Sequence, residues 1–306
     1  MKRIKALLAA ALVAIILVAC IGISASATAV NPTESSSLTI RYKHGDQLLE
    51  GISVISYRVA EAFEDGTFAL WGEFADYPIN IYGITSQAEW RGVTSALASY
   101  AVADSISPTC SAVTDENGIA QMTDILPGMY LTLSVRVETD REVIIFESFL
   151  TVIPGMDENE EHNYNVTAYP KCEEYIPKPD PIEHKVVKQW QDNGYEENRP
   201  EYVEVDILRN GELQYTEKLN AANNWSFSWT AQDDGSEWQA VERSIPEGYT
   251  VSIVSNGSII TITNIRSTPD NPPPTGDTTV IWHYVLILCL SGAAIIIIAA
   301  WRKRAE

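Results

Sequence analysis

Residues 185–190 read KVVKQW, and residues 259–265 read IITITNI. In each stretch the side chains alternate in character with the period of two that is typical of a β-strand with one buried face. Parity places Lys188 on the apolar face of the first stretch and Asn264 on the apolar face of the second. The two stretches therefore predict two strands of one β domain, each with a polar side chain directed into the core.

A third stretch, residues 238–242, reads WQAVE and has the same feature. Parity puts Glu242 on its apolar face. Burying a lysine, an asparagine and a glutamate one by one would cost roughly several kcal/mol for each uncompensated charge. We therefore expect Lys188, Glu242 and Asn264 to meet inside the domain.

Seven strand candidates fill residues 182–267, and their number and spacing are typical of a β-sandwich. They are Lys185–Trp190, Tyr202–Arg209, Leu213–Leu219, Trp225–Thr230, Trp238–Arg243, Tyr249–Val254 and Ile259–Ile265. The preceding residues 171–181 are rich in proline and predict a stiff linker.

This region closely resembles the collagen-adhesin B-type (Cna B) domain of Gram-positive surface proteins and pilins. The residues that carry the resemblance are, in chain order, Val187-Lys188-Gln189-Trp190, Arg199-Pro200, Asn223-Asn224-Trp225, Trp229, Trp238-Gln239-Ala240-Val241-Glu242, Pro246-Glu247-Gly248-Tyr249 and Ile262-Thr263-Asn264. Trp238 departs from the family, which usually has tyrosine there. The resemblance implies an isopeptide bond between Lys188 and Asn264, with Glu242 as the catalytic acid. The alternatives are an ordinary hydrogen-bonded triad or exposed residues on irregular strands.

The chemistry of such a bond is consistent with burial. Desolvation lowers the pKa of a buried lysine and raises that of a buried glutamate. The neutral amine of Lys188 would be a nucleophile, and a protonated Glu242 could polarise the Asn264 carbonyl and pass a proton to the departing ammonia.

Residues 28–170 predict a separate, mostly β domain with one inserted helix. Ser86 and Glu89 fit a capping box, and a stripe of apolar residues follows at helical spacing. The predicted architecture is therefore mainly β, with two immunoglobulin-like or Cna B-type β-sandwich domains, the first carrying the helix, and a C-terminal transmembrane helix.

Two stretches of this first domain resemble Gram-positive pilins. Residues 125–131, ILPGMYL, resemble a pilin strand, and residues 164–171, YNVTAYPK, resemble the end of a pilin N-terminal domain. The resemblance implies that Lys171 is the candidate acceptor lysine for a pilin sortase. His162 and Ala168 depart from the family pattern, and the alternative is that Lys171 is a simple linker lysine.

The N-terminus has a basic start, an apolar run and a small-residue exit, so residues 1–27 predict a secretory signal peptide. The sequence Leu17-Val18-Ala19-Cys20 leaves a second interpretation open, in which Cys20 is lipidated.

At the C-terminus, residues 280–301 form an apolar run long enough to span a bilayer, and residues 302–306 begin with three basic residues that predict a cytoplasmic tail. The preceding residues 268–279 contain Pro-Pro-Thr-Gly and resemble the sorting signal of sortase-anchored wall proteins. The resemblance implies cleavage between Thr275 and Gly276. Pro272 stands where that family usually has leucine.

The formal net charge of the 306 residues is −20, and no basic stripe lies between the termini, which argues against nucleic-acid binding. Cys110 and Cys172 lie outside the apolar end segments and leave open a single disulfide. The four histidines show no metal-ligand spacing, and no phosphate loop or nucleophile elbow is present, so we expect no metal, no cofactor and no enzyme activity.

Together these features predict a structural or adhesive protein on the cell surface, covalently attached to the wall or to a pilus. The expected partners are a sortase and either peptidoglycan or other pilin subunits. The alternative is a standalone surface module that binds a host or extracellular-matrix ligand and is held by its membrane helix. An enzyme hidden in the first domain is a third and weaker hypothesis.

Overall fold

The computed structural model describes residues 29–266, except for residues 140, 141, 160, 179 and 193. The predicted signal peptide, the predicted sorting signal with Thr275 and Gly276, and the apolar run 280–301 lie outside the described residues. The chain divides into two compact units. Among the described residues, the first unit holds 29–76 and 106–176, and the second holds 77–105 and 177–266.

The first unit is built of short strands and one 3-10 turn at Gly72–Phe74. Its strands are β1 Ser36–Arg41, β2 Lys43–His44, β3 Gln47–Leu48, β4 Ser53–Ala62, β5 Phe68–Leu70, β6 Cys110–Val113, β7 Ile119–Ile125, β8 Gly128–Thr132, β9 Val135–Glu138, β10 Val143–Phe146, β11 Phe149–Ile153, β12 Gly155–Met156, β13 His162–Asn163, β14 Asn165–Ala168 and β15 Cys172–Tyr175.

Three sheets of the first unit contribute to one apolar core. Their strand orders are β14-β1-β7, β15-β10-β9 and β11-β8-β4-β5, and β6 also pairs with β4. Leu38 and Ile40 of β1 are fully buried, as their alternation predicts, and they share the core with Tyr42 and Phe146. The rings of Tyr42 and Phe146 meet edge to face, with their centroids 4.8 Å apart.

The stretch predicted as a linker contains a strand. Cys172–Tyr175 pairs antiparallel with Val143–Phe146, so this part of residues 171–181 belongs to the first unit. The prediction of a linker relied on the prolines later in the stretch. It missed the four residues before them, which contain no proline and pair with a neighbouring strand. Cys110 and Cys172 are free thiols, and both pack against the core of the first unit.

The second unit contains a seven-stranded sandwich, as predicted. Its strands are β16 Pro181–Gln191, β17 Tyr202–Arg209, β18 Glu212–Asn220, β19 Ser226–Gln232, β20 Trp238–Glu242, β21 Thr250–Asn256 and β22 Ile259–Ile265, with 3-10 turns at Glu196–Asn198 and Ala221–Asn223. One sheet has the order β19-β16-β22-β21 and the other the order β18-β17-β20. Strands β20 and β21 therefore each form an edge of a sheet.

One helix, α1 at Gln87–Ala103, lies between β5 and β6 in the chain. Its predicted capping box is present, because Ser86 accepts a hydrogen bond from the main chain of Glu89 and the Glu89 carboxylate accepts one from the main chain of Ser86. The sequence assigned this helix to the first domain, but it packs against β20 and β21 in the second unit. The apolar stripe of the helix predicts that one of its faces is buried. It does not indicate which strands that face packs against.

Among the described residues, no helix has the length and apolar character needed to cross a membrane.

Candidate functional site

Lys188 and Asn264 are brought onto one face of the sandwich core by neighbouring strands. Strands β16 and β22 pair in parallel, with Lys188 opposite Ile262 and Trp190 opposite Asn264. Lys188 and Asn264 are therefore diagonal neighbours, two residues apart in register, and share a face by parity. Glu242 ends β20 in the other sheet, so the three predicted polar residues converge between the two sheets.

The three side chains are buried and in contact. Nζ of Lys188 lies 3.7 Å from Oε2 of Glu242, and neither side chain exposes any surface. The side-chain amide of Asn264, itself fully buried, donates a hydrogen bond from Nδ2 to Oε1 of Glu242, at 2.9 Å. Glu242 thus lies between the two groups that the proposed bond would join.

Burial drives the acid and the amine of this site toward their neutral forms. Desolvation lowers the pKa of Lys188 to about 8, although the charge of Glu242 opposes that shift. Desolvation also raises the pKa of Glu242, against the opposing charge of Lys188. A neutral amine and a protonated carboxyl are the forms that attack on an amide carbonyl requires.

The site leaves two acceptor atoms unsatisfied. Within the described part of the chain, Oε2 of Glu242 and Oδ1 of Asn264 accept no hydrogen bond. Buried polar atoms without partners are rare and costly in native proteins. A half-turn of the Asn264 amide would exchange its oxygen and nitrogen, and a protonated Glu242 could then donate to Oδ1 and polarise the carbonyl.

Trp190 forms a wall of the site that the sequence did not single out. Its ring centroid lies 3.9 Å from Nζ of Lys188, which also donates a hydrogen bond to the main-chain oxygen of Gln189, at 2.7 Å. The alternation of side chains along the strand already places Trp190 on the same face as Lys188. An aromatic residue at such a position, however, usually indicates a core residue rather than part of a functional site.

An ion pair between a half-buried arginine and a buried aspartate lies beyond Trp190. The guanidinium of Arg199 makes a two-pronged contact with Asp192, at 2.7 and 2.8 Å, and lies 5.7 Å from the Trp190 ring centroid. The positive charge of Arg199 makes a further, smaller contribution to lowering the pKa of Lys188. No pattern in the sequence indicates this role, because Arg199 stands out there only as part of the stretches that carry the family resemblance.

Lys171, the remaining predicted site residue among those described, is not part of this cluster, and Thr275 and Gly276 lie outside the described residues. Lys171 is exposed and lies between β14 and β15. Among the described residues, no group of three or more histidine, cysteine, aspartate or glutamate side chains is arranged to hold a metal ion.

Comparisons with known proteins agree with the geometry of the second unit. Residues 184–265 match the family model described as Cna protein B-type domain. The collagen adhesin of Staphylococcus aureus is 33% identical over 96 residues, which is 28% of this chain and 8% of that protein. The triad therefore lies in a Cna B-type domain, and the chain spans only a small part of the length of this curated relative.

Solved structures of similar proteins include a single B repeat unit of the collagen-binding surface protein of Staphylococcus aureus and the full-length major pilin SpaD from Corynebacterium diphtheriae. The first is 16% identical, covers 77% of this chain and 100% of its own, and has a TM-score of 0.27. The second is 17% identical, covers 77% of this chain and 65% of its own, and has a TM-score of 0.31. The assignment of the domain rests on the family match rather than on these scores.

Proposed function

We propose that this chain is a structural protein of the cell surface whose second unit is stiffened by an amide bond between Lys188 and Asn264, formed with the help of Glu242. The observation that supports the bond most directly is the fully buried contact of Glu242 with both partners. A relative named as an adhesin supports a place on the surface.

The proposed reaction balances without any further reagent. The neutral amine of Lys188 attacks Cγ of Asn264, a new bond forms between Nζ and Cγ, and the bond from Cγ to Nδ2 breaks. Glu242 takes a proton from the attacking nitrogen and gives one to the departing nitrogen, which leaves as ammonia. Holding the reacting groups together supplies the large effective concentration that such an intramolecular step needs.

Intact-mass measurement of the secreted part of the chain, residues 28–279, tests the bond. We expect a mass about 17 Da below the calculated value, since one ammonia is lost. The variant Lys188→Ala removes the nucleophile and should have its full calculated mass. A wild-type chain at full calculated mass would refute the bond.

We further propose that a sortase cleaves between Thr275 and Gly276 and joins the chain to peptidoglycan or to another pilin subunit, with Lys171 as the acceptor in the second case. The order of motif, apolar run and basic tail supports this proposal. In the source cell, Thr275→Ala should remove the protein from the wall fraction. A ladder of wall-linked bands that disappears in Lys171→Ala would establish a polymer, and a single band would favour a standalone surface module.

A further inference from the structure

Strands β20 and β21 are the two sheet edges on one side of the sandwich, and helix α1 packs against both. Edge strands present unpaired main-chain groups, which proteins commonly cover with a helix or loop. Here the covering segment, residues 77–105, comes from a part of the chain that lies outside the span 184–265 matched by the Cna B family model.

Tyr100 of α1 reaches the strand residue that carries the proposed catalytic acid. Its hydroxyl donates a hydrogen bond to the main-chain oxygen of Glu242, at 2.9 Å. Tyr100 as a whole residue is only 4% exposed. The hydroxyl thus satisfies a carbonyl on the open edge of β20. Desolvation by burial is the main cause of the raised pKa of Tyr100, and the charge of Glu242 raises it further.

Other contacts hold the segment in place beside Tyr100. The main-chain nitrogen of Val251 on β21 donates to the main-chain oxygen of Pro78, at 2.8 Å. The ring of Tyr77 stacks on that of Tyr100, with centroids 4.6 Å apart. Arg243, directly after Glu242, pairs with Asp104 just beyond the end of α1.

A glycine allows the close approach of α1 to β21. A Cβ added at Gly92 would lie 2.2 Å from Oγ of Ser252, so any side chain there would force a shift. The segment is therefore fitted to β20 and β21 by hydrogen bonds, an ion pair and close packing.

We propose that Tyr100 is a positioning residue for the formation of the Lys188–Asn264 bond, and that residues 77–105 close the β20 side of the triad against water. The hydroxyl fixes the main chain at Glu242, and the ring covers that edge. This inference rests on the proposed bond. A misplacement of about 1 Å at a reacting group can cost roughly a hundredfold in rate, so a support of this kind matters for the reaction.

The test follows bond formation in residues 28–279 made by pulsed cell-free synthesis, with samples denatured at intervals and the bonded fraction read from the mass. Rates are compared under conditions where circular dichroism shows each variant fully folded, because a first-order step within the folded chain does not depend on global stability. We expect Tyr100→Ala to slow the step by about a hundredfold. Tyr100→Phe, which keeps the ring but lacks the hydroxyl, should still react about tenfold more slowly than wild type.

The matched control is Tyr82→Phe, an exposed tyrosine of the same segment, which should react at the wild-type rate. If Tyr100→Ala does not fold, the phenylalanine variant alone decides. Folded Tyr100 variants that react as fast as wild type would overturn the positioning role and leave the bond intact. A wild-type chain without the mass deficit would instead overturn the bond itself.

Discussion

Nζ of Lys188 and Oε2 of Glu242 lie 3.7 Å apart in a site where neither side chain meets solvent. At that separation in a dry interior, an ion pair recovers only part of the cost of removing two charges from water. Transfer of a proton from Lys188 to Glu242 abolishes both charges and produces the reactive pair. Loss of hydration and gain of reactivity therefore come from the same arrangement.

We predict that Glu242→Gln stops or greatly slows formation of the bond. Glutamine has nearly the same size and can still accept from Asn264, but it cannot carry a proton between the two nitrogens. The variant should show its full calculated mass at times when the wild-type chain has lost one ammonia. Glu183→Gln, an exposed change on β16, is the control and should keep the deficit. Rapid loss of ammonia in Glu242→Gln would argue against proton transfer by this residue.

The variant Asn264→Ala, which cannot form the bond, should become more stable as the pH rises from about 8 to 10.5. The pKa of Lys188 is about 8 in the folded chain and 10.5 ordinarily, so in this window the unfolded chain binds more protons. Its free energy of unfolding therefore rises with pH. Urea titrations at each pH measure the effect.

The control for that prediction is the double variant Lys188→Met/Asn264→Ala. Lys188 is the only titratable group that differs between the two chains, so the difference between their pH profiles reports on Lys188 together with its electrostatic coupling to Glu242. Parallel profiles would mean that Lys188 is not desolvated as the structure has it.

Two buried tyrosines of the first unit should respond oppositely to loss of the hydroxyl. Within the described residues, the hydroxyl of Tyr42 has no hydrogen-bond partner, whereas that of Tyr130 donates to the main-chain oxygen of Leu126 at 2.7 Å. We expect Tyr42→Phe to raise the free energy of unfolding by about 1 kcal/mol and Tyr130→Phe to lower it by about 1 kcal/mol. Urea unfolding of both variants gives the comparison, and a loss of stability in Tyr42→Phe would contradict the assignment of an unpaired hydroxyl.

Removing the helix cap should weaken the second unit and not the first. Ser86→Ala deletes the side-chain acceptor of α1 and should cost about 1 kcal/mol. Since α1 packs on the sandwich, hydrogen exchange should quicken at the amides of β21 while those of β1 keep their rates. Ser95→Ala, within the same helix, serves as control. Faster exchange confined to β1 would place the helix in the first unit after all.

The sandwich was predictable because each of its strands has one buried face. Alternation predicted all seven strands, with the bounds of Tyr202–Arg209 and Ile259–Ile265 as observed. The same parity put Lys188, Glu242 and Asn264 in the core, where the cost of burying single charges required that they meet. The triad thus follows from local pattern and one energetic argument.

What the sequence could not supply were partners far apart in the chain. Tyr100 and Glu242 are 142 residues apart, and nothing in the apolar stripe of α1 distinguishes one sheet edge from another. The strand at Cys172–Tyr175 was missed for a related reason. A stretch of four residues is too short to show a clear alternation of side chains, and the strand forms because it pairs with Val143–Phe146.

The parallel pairing of β16 with β22 has a mechanical consequence. The chain enters β16 at Pro181 at one end of the sandwich and leaves β22 near Arg266 at the other end. Tension applied at those two points therefore loads all the hydrogen bonds between the two strands simultaneously and in shear. With Lys188 joined to Asn264, tension would pass along the start of β16, across the new amide and out through Ile265. Residues 189–263 would then form a closed loop that stays slack while the chain is stretched.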